Sequence, residues 1–191
     1  MQSNLAHKEE PREEIIGGKA VMPASPSIRH TFIAGNIYSI FHAFLRGKRC
    51  VPIQDGAMVR LNADERYIPD MMVVCDPEKI GEREVSGAPD LVVEVLSPGT
   101  AKSDRTHKKA SYERYGVREY WIVSPGDLSV EQYILKDGAF LLREIYHKYT
   151  KNELEDMTPA ERAAVVTEFK CSLFDDLAIH VDDIFDRVAA G

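Results

Sequence analysis

Long apolar runs are missing from this sequence. None approaches the roughly 18 residues that a bilayer-spanning helix needs. The N-terminal stretch MQSNLAHKEEPREE is charged, so the expectation is a cytoplasmic chain with neither signal peptide nor membrane anchor. Cysteine is scarce too. Cys50, Cys75 and Cys171 are scattered and form no CxxC pair, a pattern that argues against a zinc site or a disulfide framework and predicts buried thiols. No internal repeat and no low-complexity tract is visible. Positive charge is in deficit: 24 Lys and Arg stand against 31 Asp and Glu, a formal net charge of −7. That balance excludes a protein that coats nucleic acid by general phosphate neutralisation, while leaving room for an enzyme with one local basic patch.

What remains is an ordinary globular composition, 44% hydrophobic over 191 residues, enough for one domain with a sizeable core. We divide the chain into a flexible N-terminal segment over 1–24 and a single domain over 25–191. In SPSIRHTFIAGNIYSIFHAFLRGK, the residues Ile33, Ile37, Ile40, Phe41, Phe44 and Leu45 fall at helical spacing. Ser25 or Ser27 can cap the start of this helix and Gly47 its end. Short strand-like runs follow (CVPI, AMVRL, YIPDMMVVC), then a polar loop over 76–88. SDRTHKKASYERYG reads as a helix with Ser103 as its cap and Gly116 just past its end. EYWIVS, SVEQYIL and AFLLREIYH read as strands joined by turns at Pro125-Gly126 and Asp137-Gly138. Thr158 to Glu161 has capping-box spacing with proline at the first helical position. LAIHV and VDDIFDRVAA close the chain as a strand and a short helix. The sum is an α/β domain around a mixed sheet.

One strand is flawed in an informative way. GAPDLVVEVLSPGT has the apolar residues of a buried strand, yet it carries Asp90 and Glu94 on the same face as Val92, because side chains alternate with period two. Upstream, Asp70 heads another apolar strand in YIPDMMVV. If the two strands pair, Asp70 and Glu94 converge. Two carboxylates in a dry site repel each other. A hard divalent cation relieves that repulsion, and Mg²⁺ is bound by one or two carboxylates plus waters and phosphate oxygens. Asp90 lies about 13 Å from Glu94 at strand rise. It reads as a residue that starts the strand or supports the site from behind.

Pro69-Asp70 followed by Glu94 resembles the PD-(D/E)XK nuclease superfamily. The runs YIPDMMVVCDPEKI and GAPDLVVEVLSPGTAKSDRTHKKASYERYGVREYWIVSP, with the upstream SIRH, resemble the Uma-two family of restriction-endonuclease-like proteins over roughly residues 25–185. The resemblance implies a restriction-endonuclease-like core, a mixed β-sheet flanked by helices. It implies a Mg²⁺- or Mn²⁺-dependent endonuclease acting on DNA, with Asp70 and Glu94 as metal ligands. Leu96 stands where the superfamily has its lysine. In this family the lysine is thought to come from the following helix, and Lys108 fits that place, four residues after Asp104 and four before Tyr112 on one helix face. The resemblance also raises the standing of His30, otherwise a structural histidine, as an accessory residue; Asp90 and Tyr112 are further accessory candidates. Ser97, ahead of a proline, reads as a turn residue, and Tyr112 and Trp121 read as core. Lys102, Arg105 and Lys109, in the one basic stretch of the chain, are the candidate nucleic-acid contacts. A homodimer is expected by analogy with enzymes that cut both strands of a duplex. Two alternatives stand beside this reading. One is a nuclease-fold protein without cleavage activity, serving as a nucleic-acid-binding or structural module. The other is a hydrolase of another phosphate ester, which a closed pocket in place of an open groove would favour.

Overall fold

The structure, a computed structural model, describes residues 13–22 and 25–188. The strands are β1 (Glu14–Ile16), β2 (Lys19–Val21), β3 (Val51–Gln54), β4 (Met58–Arg60), β5 (Arg66–Tyr67), β6 (Met71–Val74), β7 (Glu84–Ser86), β8 (Leu91–Val95), β9 (Glu119–Ser124), β10 (Ser129–Lys136), β11 (Ala139–His147), β12 (Glu168–Lys170) and β13 (Ala178–His180). The helices are α1 (Ile28–Leu45), α2 (101–115), α3 (Lys151–Asp156), α4 (Pro159–Ala163) and α5 (Val181–Ile184). Among these residues no helix is long and apolar enough to cross a membrane.

Six strands form the central mixed sheet in the order β11-β10-β9-β8-β6-β3. Every neighbouring pair is antiparallel except β8 and β9. That exception governs the site. Parallel neighbours need a crossover connection, and here the crossover is α2. Period-two alternation then divides the two faces. Leu91, Val93, Val95, Trp121 and Val123 pack with Ile33, Ile37, Phe41 and Leu45 of α1. Val92, Tyr120 and Ile122 pack on the opposite face with Tyr112 of α2. Glu94, an even-numbered residue of β8, therefore faces α2. A second sheet, β2-β1-β5-β4-β7, flanks the first.

Most of the expected elements are present, and their boundaries follow local chemistry. Ser27 caps α1 by accepting from the His30 N–H at 3.2 Å, and Gly47 just beyond the helix has φ of 75°. The Asp137-Gly138 turn takes positive φ at both residues, 52° and 82°, as a two-residue hairpin requires. Thr158 and Glu161 form the capping box.

Four expectations are corrected. First, part of the segment 1–24 is not loose: β1 and β2 form a hairpin around Gly17-Gly18, and β1 pairs with β5. Residues 1–12 and 23–24 lie outside the described residues. Second, the polar loop 76–88 contains β7, which pairs parallel to β4. Third, α2 begins at Ala101 rather than after Ser103, and Asp104–Lys108 within it is π-helical. Fourth, Cys50 and Cys75 are disulfide-bonded. They flank β3 and β6, where the pair Val51↔Val74 makes them the next residues opposite one another. Cys171 is a free, buried thiol.

Glu119, fully buried on β9, joins the sheet to the C-terminal segment. Its carboxylate accepts from Trp121 Nε1 at 2.6 Å, Gln132 Nε2 at 2.6 Å and the Ser172 N–H at 2.7 Å. Removing it strands the buried Trp121 indole N–H, leaves Gln132 Nε2 with only the Lys170 carbonyl and frees the Ser172 N–H, and each buried donor left unpaired costs about 1–3 kcal/mol. Glu119→Ala is expected to lower unfolding stability by about 3 kcal/mol or more, measured by urea denaturation. A loss below about 1 kcal/mol would contradict this bonding scheme.

Candidate active site

The register of β6 against β8 pairs Met71 with Val93 and Met72 with Val92. Carried one residue further, it sets Asp70 opposite Glu94, on one face at the mouth of the sheet. The Val95 N–H donates to Asp70 Oδ2 at 2.7 Å, which fixes that carboxylate beside the strand. His30, held in the first turn of α1 by the Ser27 cap, brings Nε2 to 3.1 Å from the same oxygen. Burial alone would lower the His30 pKa. The hydrogen bond and charge of Asp70 outweigh it, with the charge of Asp55 and a Val95 backbone bond adding to them, and the histidine is raised above 6.5.

From the other side, α2 lays Lys108 and Tyr112 over Glu94. Both donate to Glu94 Oε1, Lys108 Nζ at 3.2 Å and Tyr112 OH at 2.9 Å. Lys108 Nζ also lies 2.8 Å from Glu14 Oε1 and 3.5 Å from Asp104 Oδ1. All four side chains are 4% exposed or less. The π-helical turn Asp104–Lys108 contributes two members of this cluster, and the Tyr120 hydroxyl pins its start by donating to the Asp104 carbonyl at 2.9 Å. Burial raises the Glu94 carboxyl well above its ordinary range. Lys108 opposes that shift, while Asp104, Asp70 and Glu14 add to it. Burial would lower the Lys108 ammonium, but Glu94, Glu14 and Asp104 together raise it, so it is held charged.

A cavity of about 240 Å³ opens onto these groups, with Glu14, His30, Asp55, Asp70, Glu94 and Lys108 on its wall. At about 30 Å³ per water it has room for a partly hydrated ion beside one phosphoryl group. Ser25 and Ser97 also line a second depression, about 650 Å³, which runs past Gly99 to Arg105. The two hollows therefore adjoin. Among the described residues no group of three or more His, Cys, Asp or Glu is arranged to hold a metal ion. The donor set is instead two facing carboxylates beside an open cavity. This suits a hard ion that keeps several waters and takes its remaining ligands from phosphate.

Asp70, Glu94, Lys108, His30 and Tyr112 are thus brought together. Asp90 is not: it sits at the far end of β8, where it accepts from the Cys75 N–H at 2.7 Å and faces Arg118. Of its two sequence readings, the strand-start one describes it, an anchor at the head of β8 between β6 and β9, and the accessory role at the site is corrected. Of the three candidate phosphate contacts, Arg105 pairs with Glu131 and Lys109 lies over the Tyr133 ring at 4.0 Å. Lys102 is exposed. Only Arg105 borders the paired hollows. Sequence reasoning missed Glu14, whose only local signal is the Gly17-Gly18 turn that follows it, and the buried position of Asp104.

Replacing Lys108 by Met leaves Glu14, Glu94 and Asp104 without their shared cation. The Glu94 and Asp104 carboxyls, which burial already raises and Lys108 holds down, then titrate higher still in the folded chain, so the stability deficit is small at acid pH and grows as pH rises. Lys108→Met is expected to be about 3 kcal/mol less stable than wild type near pH 8, with the gap narrowing towards pH 5 in urea unfolding. A gap independent of pH would contradict the ion-pair scheme.

Comparison with known proteins adds to this geometry. Residues 2–167 match the family model described as "Uma2: Putative restriction endonuclease". "Uncharacterized protein slr1290" of Synechocystis sp. (strain ATCC 27184 / PCC 6803 / Kazusa) is 27% identical over 148 residues, covering 76% of this chain and 78% of that protein. The crystal structure of "a putative nuclease belonging to DUF820" from Anabaena variabilis ATCC 29413 superposes with a TM-score of 0.68 at 18% identity, covering 94% of this chain and 92% of that one. That likeness establishes a shared fold. The family match spans both strands of the carboxylate pair and the helix that brings Lys108 to them, and the chain belongs to the Uma2 family, the restriction-endonuclease-like family that its motifs resemble.

Proposed function

We propose that the protein is a divalent-metal-dependent endonuclease that hydrolyses phosphodiester bonds of DNA, with Asp70, Glu94 and Lys108 as its catalytic centre. The observation that carries this reading is the meeting of Lys108 with Glu94 at 3.2 Å, opposite Asp70 in the strand register. A lysine directed away from Glu94 would have favoured a fold without activity. Asp70 and Glu94 would hold Mg²⁺ or Mn²⁺. When bound, such an ion lowers the pKa of a coordinated water and polarises a phosphoryl oxygen.

The chain's own residues supply the rest. The Val95 N–H and His30 fix the orientation of Asp70. Tyr112 and Lys108 both occupy Glu94 Oε1, which leaves Oε2 outside that network and able to turn to the cavity. The Lys108 ammonium, kept charged by its neighbours, stabilises negative charge as it develops on the phosphoryl group or orients the attacking water. The adjoining hollows extend to Arg105. Such a groove favours a polymeric substrate over a small phosphate ester, and Arg105 is suited to a flanking phosphate. A homodimer would place two such centres for the two strands of a duplex.

Nicking of supercoiled plasmid in Mg²⁺ or Mn²⁺ tests the reading, with wild type compared against Glu94→Ala and Lys108→Ala. Metal-dependent nicking is expected in wild type, and a fall of at least about a hundredfold in each variant, the scale of losing a transition-state charge contact. Activity that survives Lys108→Ala would remove Lys108 from the mechanism. An inactive wild type, across DNA and RNA and both metals, would favour the binding-module alternative.

A further inference from the structure

Glu14 lies in the charged N-terminal stretch, where composition suggests only solvated side chains. The fold places it otherwise. Its side chain is 4% exposed, and one oxygen, Oε1, does two things. It accepts from the Ile68 N–H at 2.9 Å and from Lys108 Nζ at 2.8 Å. Of the three carboxylates on Lys108, Glu14 makes the closest contact; Glu94 stands at 3.2 Å and Asp104 at 3.5 Å. Ile68 is two residues before Asp70. A single oxygen therefore links the segment that delivers Asp70 to the ammonium that faces Glu94.

The hairpin that carries Glu14 is itself built in. Ile15 pairs with Arg66 in the flanking sheet, and the Gly18 N–H donates to the Asp64 carbonyl at 2.9 Å. The Gly17 N–H donates to Glu65 Oε2 at 3.3 Å, and Glu65 in turn meets His107 of α2 at 3.2 Å. The turn is thus tied both to the strand leading into Asp70 and to the helix that bears Lys108.

We propose that Glu14 is a positioning residue of this active site, and that the hairpin 14–21 is part of the catalytic apparatus rather than an appendage. A lysine is a flexible four-carbon stem with a point charge at its end. Left to itself its ammonium would sample several positions, and a misplacement of about 1 Å can cost about a hundredfold in rate. Glu14 selects one position, against Glu94 and in fixed relation to Asp70. An opposite reading is that Glu14 blocks Lys108 until a phosphate displaces it. The backbone bond to Ile68 and the burial of Glu14 make it a fixture, so its removal is expected to lower activity.

The kinetic arm of the test rests on the nuclease reading; a second arm does not. In steady-state plasmid nicking with Mn²⁺, the full-length Glu14→Ala variant is expected to lose at least about tenfold in kcat with KM within about twofold of wild type. Glu14→Gln keeps an oxygen for the Ile68 N–H but loses the charge, so it is expected to fall between the two. Independently, labelling with an amine-reactive reagent followed by peptide mass spectrometry reads the Lys108 ammonium directly. Lys108 is expected to be protected in wild type and to label at least about fivefold faster in Glu14→Ala, with Glu14→Gln intermediate; the glutamine variant decides the matter if the alanine variant fails to fold. Raised activity in either variant would establish a block and overturn the proposal. A change in KM alone would overturn it too. If wild type cuts nothing, the nuclease reading fails, and unchanged Lys108 labelling in both variants would separately overturn the role of Glu14.

Discussion

Three buried carboxylates meet at one ammonium, and the rest of the site depends on that meeting. Moving a charged group out of water costs several kcal/mol even after relaxation. Lys108, Glu14, Glu94 and Asp104 are tolerated together because each is paired within 3.5 Å. Each partner comes from a different piece of architecture. Glu94 comes from β8, Glu14 from the N-terminal hairpin, and Asp104 and Lys108 from a π-helical turn of the crossover helix. The parallel pairing of β8 with β9 makes that crossover necessary and sets α2 on the face where Glu94 points. A different strand order would leave the lysine without its partner.

Among the described residues the cluster is not electrically balanced. Glu14, Glu94, Asp104 and the adjacent Asp70 bring four carboxylates to Lys108 and His30. This surplus contributes to the upward shift of the Glu94 carboxyl and, with the Asp70 hydrogen bond, to the raised histidine. The divalent cation of the proposed function would complement such a cavity and would supply the chemistry that phosphodiester hydrolysis needs. On the proposed function, the same surplus of negative charge would confine nucleic-acid binding to the neighbourhood of the groove, in keeping with a net charge of −7 for the whole chain.

Much of this was legible in the residues, for reasons that are local. Glu94 stands out because an apolar strand has no other use for a carboxylate on that face. Its partner Asp70 follows once β6 and β8 are taken to pair. Lys108 follows from helical spacing with Asp104 and Tyr112, together with the family resemblance that turns attention from Leu96 to the next helix. What was not legible is long-range. Glu14 sits in a run of charged residues, and only its contacts with Ile68 and Lys108 distinguish it from them. The Gly17-Gly18 turn between Ile15-Ile16 and Ala20-Val21 is a hairpin signal that could have been read. Cys50 and Cys75 become neighbours only through the β3–β6 register. Asp90 and Glu94 look alike by periodicity, but Asp90 lies just before β8 and Glu94 near its other end, where they meet different surroundings. Arg105 and Lys109 look equivalent as phosphate contacts in sequence, yet β10 engages both, Arg105 through Glu131 and Lys109 through the Tyr133 ring, and of the two only Arg105 borders the hollows.

The central claim is that Asp70 and Glu94 form a divalent-cation site beside the Lys108 cluster. Crystals of the protein grown with Mn²⁺ and measured at a wavelength where manganese scatters anomalously would test it most directly. The account predicts one strong anomalous peak within about 2.2 Å of oxygens from both Asp70 and Glu94, lost in crystals of Glu94→Gln; that distance lies between the values usual for Mg²⁺ and Ca²⁺. A Mn²⁺-saturated crystal with no peak between these two carboxylates would contradict it.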